Sequence, residues 1–250
     1  MKVDPTHQFQ ITDLMPMTSI GGHEIAFTNS ALFMFIIVAA VSLLLIGATA
    51  RRAVVPGRLQ SIAEVSYEFV ANTVQSTAGP EGMKFFPFVF TLFMFVLFAN
   101  LIGLIPYSFT VTSQLIITAA LALLVFFIVV GYGFWKHGFH FLNLFVPKGV
   151  PKYILPAIVA IEVLSFISRP VSHSVRLFAN MLAGHITLQV FAGFIIMLAS
   201  AGILGWFGAA LPFIMVMLLT ALEFLVAALQ AYVFAILTCI YLNDAIHPGH

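Results

Sequence analysis

Charged residues are scarce in this chain. Asp, Glu, Lys and Arg together make up 8% of its 250 residues, against roughly 25% in an ordinary soluble domain. Hydrophobic residues account for 62%, with 27 Phe among them, and the mean hydropathy is +1.10. A chain of this kind has too few polar side chains to cover its own surface, so lipid must be the solvent for much of it. The composition therefore predicts a polytopic integral membrane protein.

Other absences exclude further classes of protein. The single cysteine, Cys239, rules out an intramolecular disulfide. A net charge of +1 without a basic run argues against nucleic acid as a partner. There is no H-E-x-x-H, G-x-S-x-G or Walker A sequence, so we predict no metal site, no cofactor and no intramembrane enzyme. The first 24 residues are mixed and polar, which does not fit a cleaved signal peptide.

Five apolar segments are long enough to cross a bilayer, which needs about 20 apolar residues per helix. The segments are 27–50, 85–107, 115–135, 153–200 and 205–242. The last two are separated by Ala201, Gly202 and Gly205, which favours a long, tilted antiparallel hairpin. Linkers are short, as at 108–114, and we find no internal repeat. The sequence thus predicts an all-α membrane helix bundle that forms one domain over 1–250.

The segment 58–77 has a different pattern from the five spans. Apolar residues such as Leu59, Ile62 and Val65 recur at helical spacing, while Glu64 and Glu68 fall on other faces. This pattern predicts an amphipathic helix on the membrane surface. An ordinary connecting helix at the surface explains the pattern equally well.

The basic residues predict an orientation. Seven of them fall on one side of the membrane if five crossings alternate: Arg51, Arg52, Arg58, Lys84, Lys136, Lys148 and Lys152. Lys2 falls on the other side, and Arg169 and Arg176 lie within the membrane. The positive-inside rule then puts the N-terminus outside, in the periplasm, and the C-terminus in the cytoplasm.

The segment 153–200 carries an unusual set of polar residues. On a helical wheel one stripe collects Glu162, Ser165, Arg169, Ser172, His173, Arg176 and Asn180. Polar side chains at membrane depth face protein, a cavity or water, because exposing them to lipid is costly. Pro170 removes a backbone hydrogen bond and favours a bend. His185 lies on another face of the same helix. Snorkelling explains Arg169 as well as a functional role does.

The last helix has a similar polar face, with Glu223 and Gln230 seven residues apart. Folding the two helices antiparallel about Ile203 brings Arg176 level with Gln230. The same fold brings His185 level with a residue two positions from Glu223. No acidic side chain lies at the depth of Arg176 in this arrangement. We therefore expect its carboxylate partner to come from another chain.

At these residues the sequence resembles subunit a of the rotary F-type ATP synthases, of the mitochondrial and alphaproteobacterial kind. Three segments carry the resemblance: SRPVSHSVRLFANMLAGH at 168–185, LEFLVAALQAYVFAILTCIYL at 222–242, and FANLIGLIP at 98–106. It extends over nearly the whole chain from Phe27.

The resemblance implies roles for particular residues. Arg176 corresponds to the essential arginine, Asn180 to its companion, and Gln230 to the glutamine that faces it. The proton path would include His185, Glu223, Glu162, His173 and Asn100. Many bacterial relatives have the acid after the A-G sequence and the histidine on the last helix. In this chain the two are exchanged, and the pair is retained.

The resemblance also implies partners: a ring of c subunits with a carboxylate facing Arg176, and b-type peripheral stalk subunits. The implied function is that of the stator subunit of a proton channel in the bacterial inner membrane, with no enzymatic activity by itself. A secondary transporter is the alternative. Transporters usually show repeated halves with broken helices, and this chain shows no repeat.

Overall fold

A computed structural model describes residues 10–20, 23–50, 55–105, 108–146, 153–200 and 202–247. In chain order the elements are β1 Asp13–Ile20, β2 His23–Thr28, α1 Asn29–Ala50, α2 Arg58–Gly82, α3 Phe86–Gly103, α4 Leu115–His137, α5 Leu155–Ala199 and α6 Ile203–Ile246. Short 3₁₀ helices at Met83–Phe85, Val111–Ser113 and Gly138–Phe145 lie between them. The predicted positions Lys2, Arg51, Arg52, Pro106, Tyr107, Lys148, Lys152 and Ala201 lie outside the described residues.

Among the described residues, five helical stretches are long and apolar enough to cross a membrane, with α2 and α3 together forming one of them. The prediction of an all-α bundle with five crossings is confirmed. The helix boundaries differ from the predicted ones by a few residues. One of these differences is in α6, which was expected to end at Leu242 and continues to Ile246. It continues because Leu242, Ala245 and Ile246 are buried by the rest of the bundle.

An antiparallel β-hairpin precedes the first helix, and the sequence did not predict it. β1 and β2 pair antiparallel from Asp13 with Thr28 to Ile20 with His23, with two shifts of register along the way. Asn29 joins the hairpin to α1, because its side chain accepts a hydrogen bond from the Thr12 amide and donates one to the Gln10 carbonyl. The first helix therefore begins at Asn29, two residues later than expected.

The amphipathic segment forms α2 and packs on the bundle along part of its length. Val70, Val74 and Ala78 are buried at four-residue spacing, as the helical period requires. Leu59, Ile62 and Val65, near its start, stay exposed. Gly79 has a left-handed φ of 69°, which interrupts the helix close to the predicted end at 77.

The core lies between α3 and the second half of α6. Val89, Val96 and Ala99 of α3 are almost fully buried, as are Phe234 and Cys239 of α6. Apolar residues cover every side of α3, and a helix that is apolar all round belongs in an interior or a membrane. The last helix is thus held on its inner side, while its outer side remains exposed.

The two last helices form the predicted hairpin. Gly202 turns the chain with a φ of 93°, a conformation that residues with a Cβ rarely adopt. α5 has 45 residues and α6 has 44, so each is about 66–68 Å long at 1.5 Å per residue. A hydrocarbon core is only about 30 Å thick. Helices of this length must tilt strongly or project beyond the bilayer.

Candidate functional site

The register between α5 and α6 places the candidate residues. Gly184 lies against Glu223, since a Cβ on Gly184 would come 3.0 Å from Cδ and 3.2 Å from Cγ of that side chain. Farther along the hairpin, the His173 ring lies on Phe234 with 3.8 Å between centroids. Both contacts agree with the predicted fold about Ile203 to within one residue. Arg176 is therefore level with Gln230, and His185 with the turn that carries Glu223.

A buried polar layer surrounds His185. The Thr110 hydroxyl lies 3.2 Å from Nε2 of His185. Asn100 donates a hydrogen bond to the Ala227 carbonyl at 3.1 Å and accepts one from Thr112 at 2.8 Å. Ala227 lies one turn of α6 from Glu223, so α3, α5, α6 and the 3₁₀ segment all contribute to this layer. The layer unites the predicted residues Asn100, His185 and Glu223.

Glu223 is the unsatisfied member of the layer. Its side chain is buried, and neither carboxylate oxygen has a hydrogen-bond partner among the described residues. A buried ionised carboxylate without a partner is costly. Glu223 therefore occupies a position where gain and loss of a proton change the local energy strongly.

Two members of the layer, Thr110 and Thr112, were missed by the sequence reading. Residues 108–114 were interpreted only as a short linker, and no part in the site was predicted for them. Thr110 and Thr112 are fully buried, and Ser113 nearly so. The available signal was the density of hydroxyl residues, SFTVTS, in an otherwise apolar chain. A loop that is buried in the bundle has backbone polar groups that need hydrogen-bond partners, and side-chain hydroxyl groups can provide them.

Arg176 and Asn180 lie on the opposite, outer side of α5. Both are exposed, together with Ser172, Ala179 and Ala183 around them. Among the described residues Arg176 makes no ion pair or hydrogen bond. Gln230 is level with Arg176 and buried, but no hydrogen bond joins them. The guanidinium is thus a cation that the described part of the chain does not compensate.

The predicted single polar stripe of α5 divides into two faces. His173 is buried under α6, next to Ser174, whose hydroxyl lies 3.2 Å from that of Thr118 in α4. Ser172, Arg176 and Asn180 face outward instead. Steps of three and four residues cover a broad arc of a helix, and the neighbouring helices cover one edge of it. Glu162 lies near the far end of α5 and is half-buried.

Arg169 has a partner that the sequence reading did not find. It donates a hydrogen bond to Asp244 at 2.6 Å, as part of an ion pair. Its guanidinium carbon also lies 5.2 Å from the centroid of Phe166 and 5.1 Å from that of Tyr241. Asp244 was overlooked because it lies beyond the predicted end of the last helix. The pair joins α5 to α6.

The C-terminal end of α6 is held by α4 and α2. Lys136 forms an ion pair with Glu81 at 2.6 Å and also donates to the Ile246 carbonyl. The His137 ring lies 3.0 Å from the same carbonyl. These contacts satisfy a carbonyl that the last turn of a helix leaves without an intrahelical partner. Two basic residues therefore lie at the same end of the bundle as the end of α6.

Comparisons with known proteins agree with this arrangement. The family model described as ATP synthase A chain matches residues 31–243. The chain is 66% identical to ATP synthase subunit a of Nitrobacter winogradskyi over 248 residues, covering 99% of this chain and all of the relative. It is 66% identical to ATP synthase subunit a of Rhodopseudomonas palustris over 250 residues, with both chains fully covered. The subunit a of Bradyrhizobium diazoefficiens is 65% identical over 251 residues, again with full coverage of both chains.

These relatives are alphaproteobacterial, as the exchanged histidine and glutamate predict. The family model covers more than four-fifths of the chain, and the relatives align from end to end. The chain is a member of the ATP synthase A chain family.

Proposed function

We propose that this protein is the stator subunit of the membrane proton channel of an ATP synthase, and that Arg176 couples proton movement to rotation of a c-ring. The observation that carries the proposal is the environment of Arg176. It is exposed on the outer side of the α5–α6 hairpin, and the described residues give it no counter-charge. A partner carboxylate from another chain would supply that charge.

Arg176 acts in this proposal as a fixed cation. An arginine side chain does not lose its proton in a protein. A ring carboxylate that carries a proton can enter lipid, whereas an ionised one can leave water only where a cation meets it. The arginine therefore favours loss of the proton on arrival. It also blocks direct passage of protons between the two aqueous half-channels.

Protons enter through the buried polar layer. Asn100, His185 and Glu223 lie together there, and the carboxylate of Glu223 has no hydrogen-bond partner among the described residues. A histidine and a carboxylate can relay protons because each gains and loses one in an accessible pH range. The driving force is about 2.3 kcal/mol per charge for each 100 mV of membrane potential.

Protons leave on the far side of Arg176, toward His173 and Glu162. Both residues lie on α5, between Arg176 and the end that approaches the C-terminal end of α6. Asn180 lies one turn beyond Arg176 on the exposed face and would help to orient the arriving carboxylate. Gln230 lies at the same depth on α6 and can hydrogen-bond the guanidinium.

The proposed setting is the bacterial inner membrane, with the N-terminus outside and the C-terminus in the cytoplasm. The predicted clustering of basic residues near one side supports this orientation. The partners are the c-ring, b-type peripheral stalk subunits and the bilayer. We favour H⁺ over Na⁺ as the transported ion, and no nucleic acid takes part.

Two substitutions of Arg176 test the proposal in the reconstituted complex. Arg176→Lys keeps a cation but loses the planar fork and can be deprotonated in an apolar site. We expect it to abolish proton-driven ATP synthesis in a complex that still assembles. Arg176→Ala should abolish synthesis too, and should also let protons pass because the barrier between the half-channels is gone. Synthesis and acidification of vesicles are measured under an imposed potential.

A reagent that modifies the ring carboxylate provides the control, since it should stop proton flux in the wild-type complex. Near-normal synthesis by Arg176→Lys would contradict the fixed-cation mechanism. In that case Arg176 would be a structural charge.

A further inference from the structure

A second arginine lies on the same side of α5 as Arg176. Arg169 precedes Arg176 by seven residues, which is close to two full turns, so the two side chains are about 10 Å apart along one face. Among the described residues of α5 and α6 these two are the only lysines or arginines. A carboxylate that approaches Arg176 therefore comes within range of both cations.

The environments of the two arginines differ. Arg169 forms an ion pair with Asp244 at 2.6 Å, and the side chains of the pair are only 21% and 28% exposed. Phe166 and Tyr241 flank its guanidinium at 5.2 and 5.1 Å. Arg176 has no ion pair among the described residues and is exposed. We call Phe166, Arg169, Tyr241 and Asp244 the masked cluster.

We propose that Asp244 masks the charge of Arg169, so that an arriving ring carboxylate meets Arg176 as the single uncompensated cation of the hairpin. This inference rests on the proposed function. Asp244 is then a positioning residue, which acts by cancelling a competing charge and does not exchange protons itself.

The masking explains how an arginine can lie so close to Arg176 without competing with it. Arg169 joins α5 to α6 through one ion pair and two aromatic contacts, and planar arginine suits such stacked sites better than lysine. With Asp244 ionised, the masked cluster carries no net charge. Without the Asp244 carboxylate, the masked cluster would present Arg169 as a second cation, about two helical turns from Arg176.

The effect of unmasking follows from Coulomb's law. At an effective dielectric constant of about 20, a unit charge about 10 Å away slows the departure of a carboxylate by about tenfold. The ring carboxylate must leave Arg176 at every step of rotation. We therefore expect Asp244→Asn to lower proton-driven ATP synthesis by up to about tenfold.

The test compares three variants in the reconstituted complex: Asp244→Asn, Arg169→Gln and the double variant. Removing the arginine as well as the acid restores the charge balance, so the double variant should recover most of the synthesis lost in Asp244→Asn. Arg169→Gln alone leaves Asp244 as an uncompensated anion at the same distance, so its synthesis should fall as well and should recover in the double variant. Thermal stability of the complex is measured in parallel, because each single variant leaves one charge of the pair unpaired and a loss of stability by itself could lower synthesis.

Glu81→Gln is the matched control. It breaks the ion pair with Lys136 near the same end of the bundle, and the proposal gives it no effect on synthesis. If the double variant stays as inactive as Asp244→Asn, then Asp244 has a role of its own and the masking idea is wrong. If Asp244→Asn failed to assemble, the double variant alone would decide, and synthesis far below the wild-type level in it would contradict the masking idea. A wild-type complex without proton-driven synthesis would instead contradict the proposed function.

Discussion

At the scale of single residues, Glu223 depends on the size of Gly184. The carboxylate is buried beside a glycine on the neighbouring helix, and the two helices are so close there that a Cβ on Gly184 would overlap Glu223. The nearest atom to such a Cβ is Oε1, at the end of a flexible side chain. The side chain would therefore move, and the helices would keep their places.

Gly184→Ala should thus displace the carboxylate without unfolding the protein. Alanine favours the helix by roughly 0.5–1 kcal/mol over glycine, so the thermal stability of the complex should not fall. A small displacement of a reacting group reduces rates by up to about a hundredfold, and we expect a loss of at least about tenfold in proton-driven synthesis. Both quantities are measured on the purified, reconstituted complex.

Gly131→Ala is the control for this change. Gly131 lies within α4, and a Cβ there would have no neighbour within 4 Å. Synthesis by this variant should match that of the wild type. Normal synthesis by Gly184→Ala would mean that the exact position of Glu223 does not limit proton entry.

At the scale of elements, the inserted segment between α3 and α4 depends on Asn100. This amide bonds to the Ala227 carbonyl of α6 on one side and to the Thr112 hydroxyl on the other. It is fully buried, as are Thr110 and Thr112. One side chain therefore holds three elements, and through Thr110 the segment reaches His185.

Asn100→Leu should loosen this segment. Leucine is similar in size but leaves the Thr112 hydroxyl without its partner, and an unsatisfied buried polar group costs about 1–3 kcal/mol. We expect a loss of stability of this order in a denaturant titration of the detergent-solubilised protein. Amide hydrogen exchange in the segment Val111–Ser113 should become faster.

Thr91→Val tests whether the effect belongs to Asn100. Thr91 lies on the same helix, and its exposed hydroxyl bonds only within that helix, to the Pro87 carbonyl. This variant should leave both stability and exchange unchanged. Equal exchange in Asn100→Leu and wild type would show that other contacts hold the segment.

At the scale of the whole molecule, the two ends of the bundle differ. One end has the Lys136, His137 and Glu81 contacts around the end of α6. The other has the β-hairpin, which leads directly into α1. Helices that alternate in direction across a membrane put such ends on opposite sides, which gives the proposed orientation a direct test.

Cysteine labelling in intact cells distinguishes the two sides. The native Cys239 is fully buried, so the wild-type chain should react little with a membrane-impermeant maleimide. Met15 is 67% exposed in the hairpin, and His247 is exposed beyond α6. We expect Met15→Cys to react from outside, and His247→Cys to react only after the membrane is permeabilised. The reverse pattern would overturn the proposed orientation.

Much of the fold could be predicted from the sequence because membrane helices follow from composition and length alone. Five apolar stretches of the required length gave five crossings. The break around Gly202 predicted the α5–α6 hairpin. Counting residues from that break predicted which residues of the two helices lie side by side, to within one residue. Counting succeeds here because an uninterrupted helix rises by a constant amount per residue. The relative depths of Arg176, Glu223 and His185 in the bundle could therefore be predicted from residue numbers alone.

Contacts across the bundle were decided only by the tertiary structure. Spacing along a helix gives the depth of a residue and its direction, but not which neighbour covers that side. For this reason His173 and Arg176, three residues apart on one predicted stripe, lie on a buried and an exposed face. The Asp244 partner of Arg169, the room at Gly184 and the burial of Thr110 each join residues far apart in the chain. Such pairs depend on how each helix is rotated about its axis, and packing against all the other helices sets that rotation.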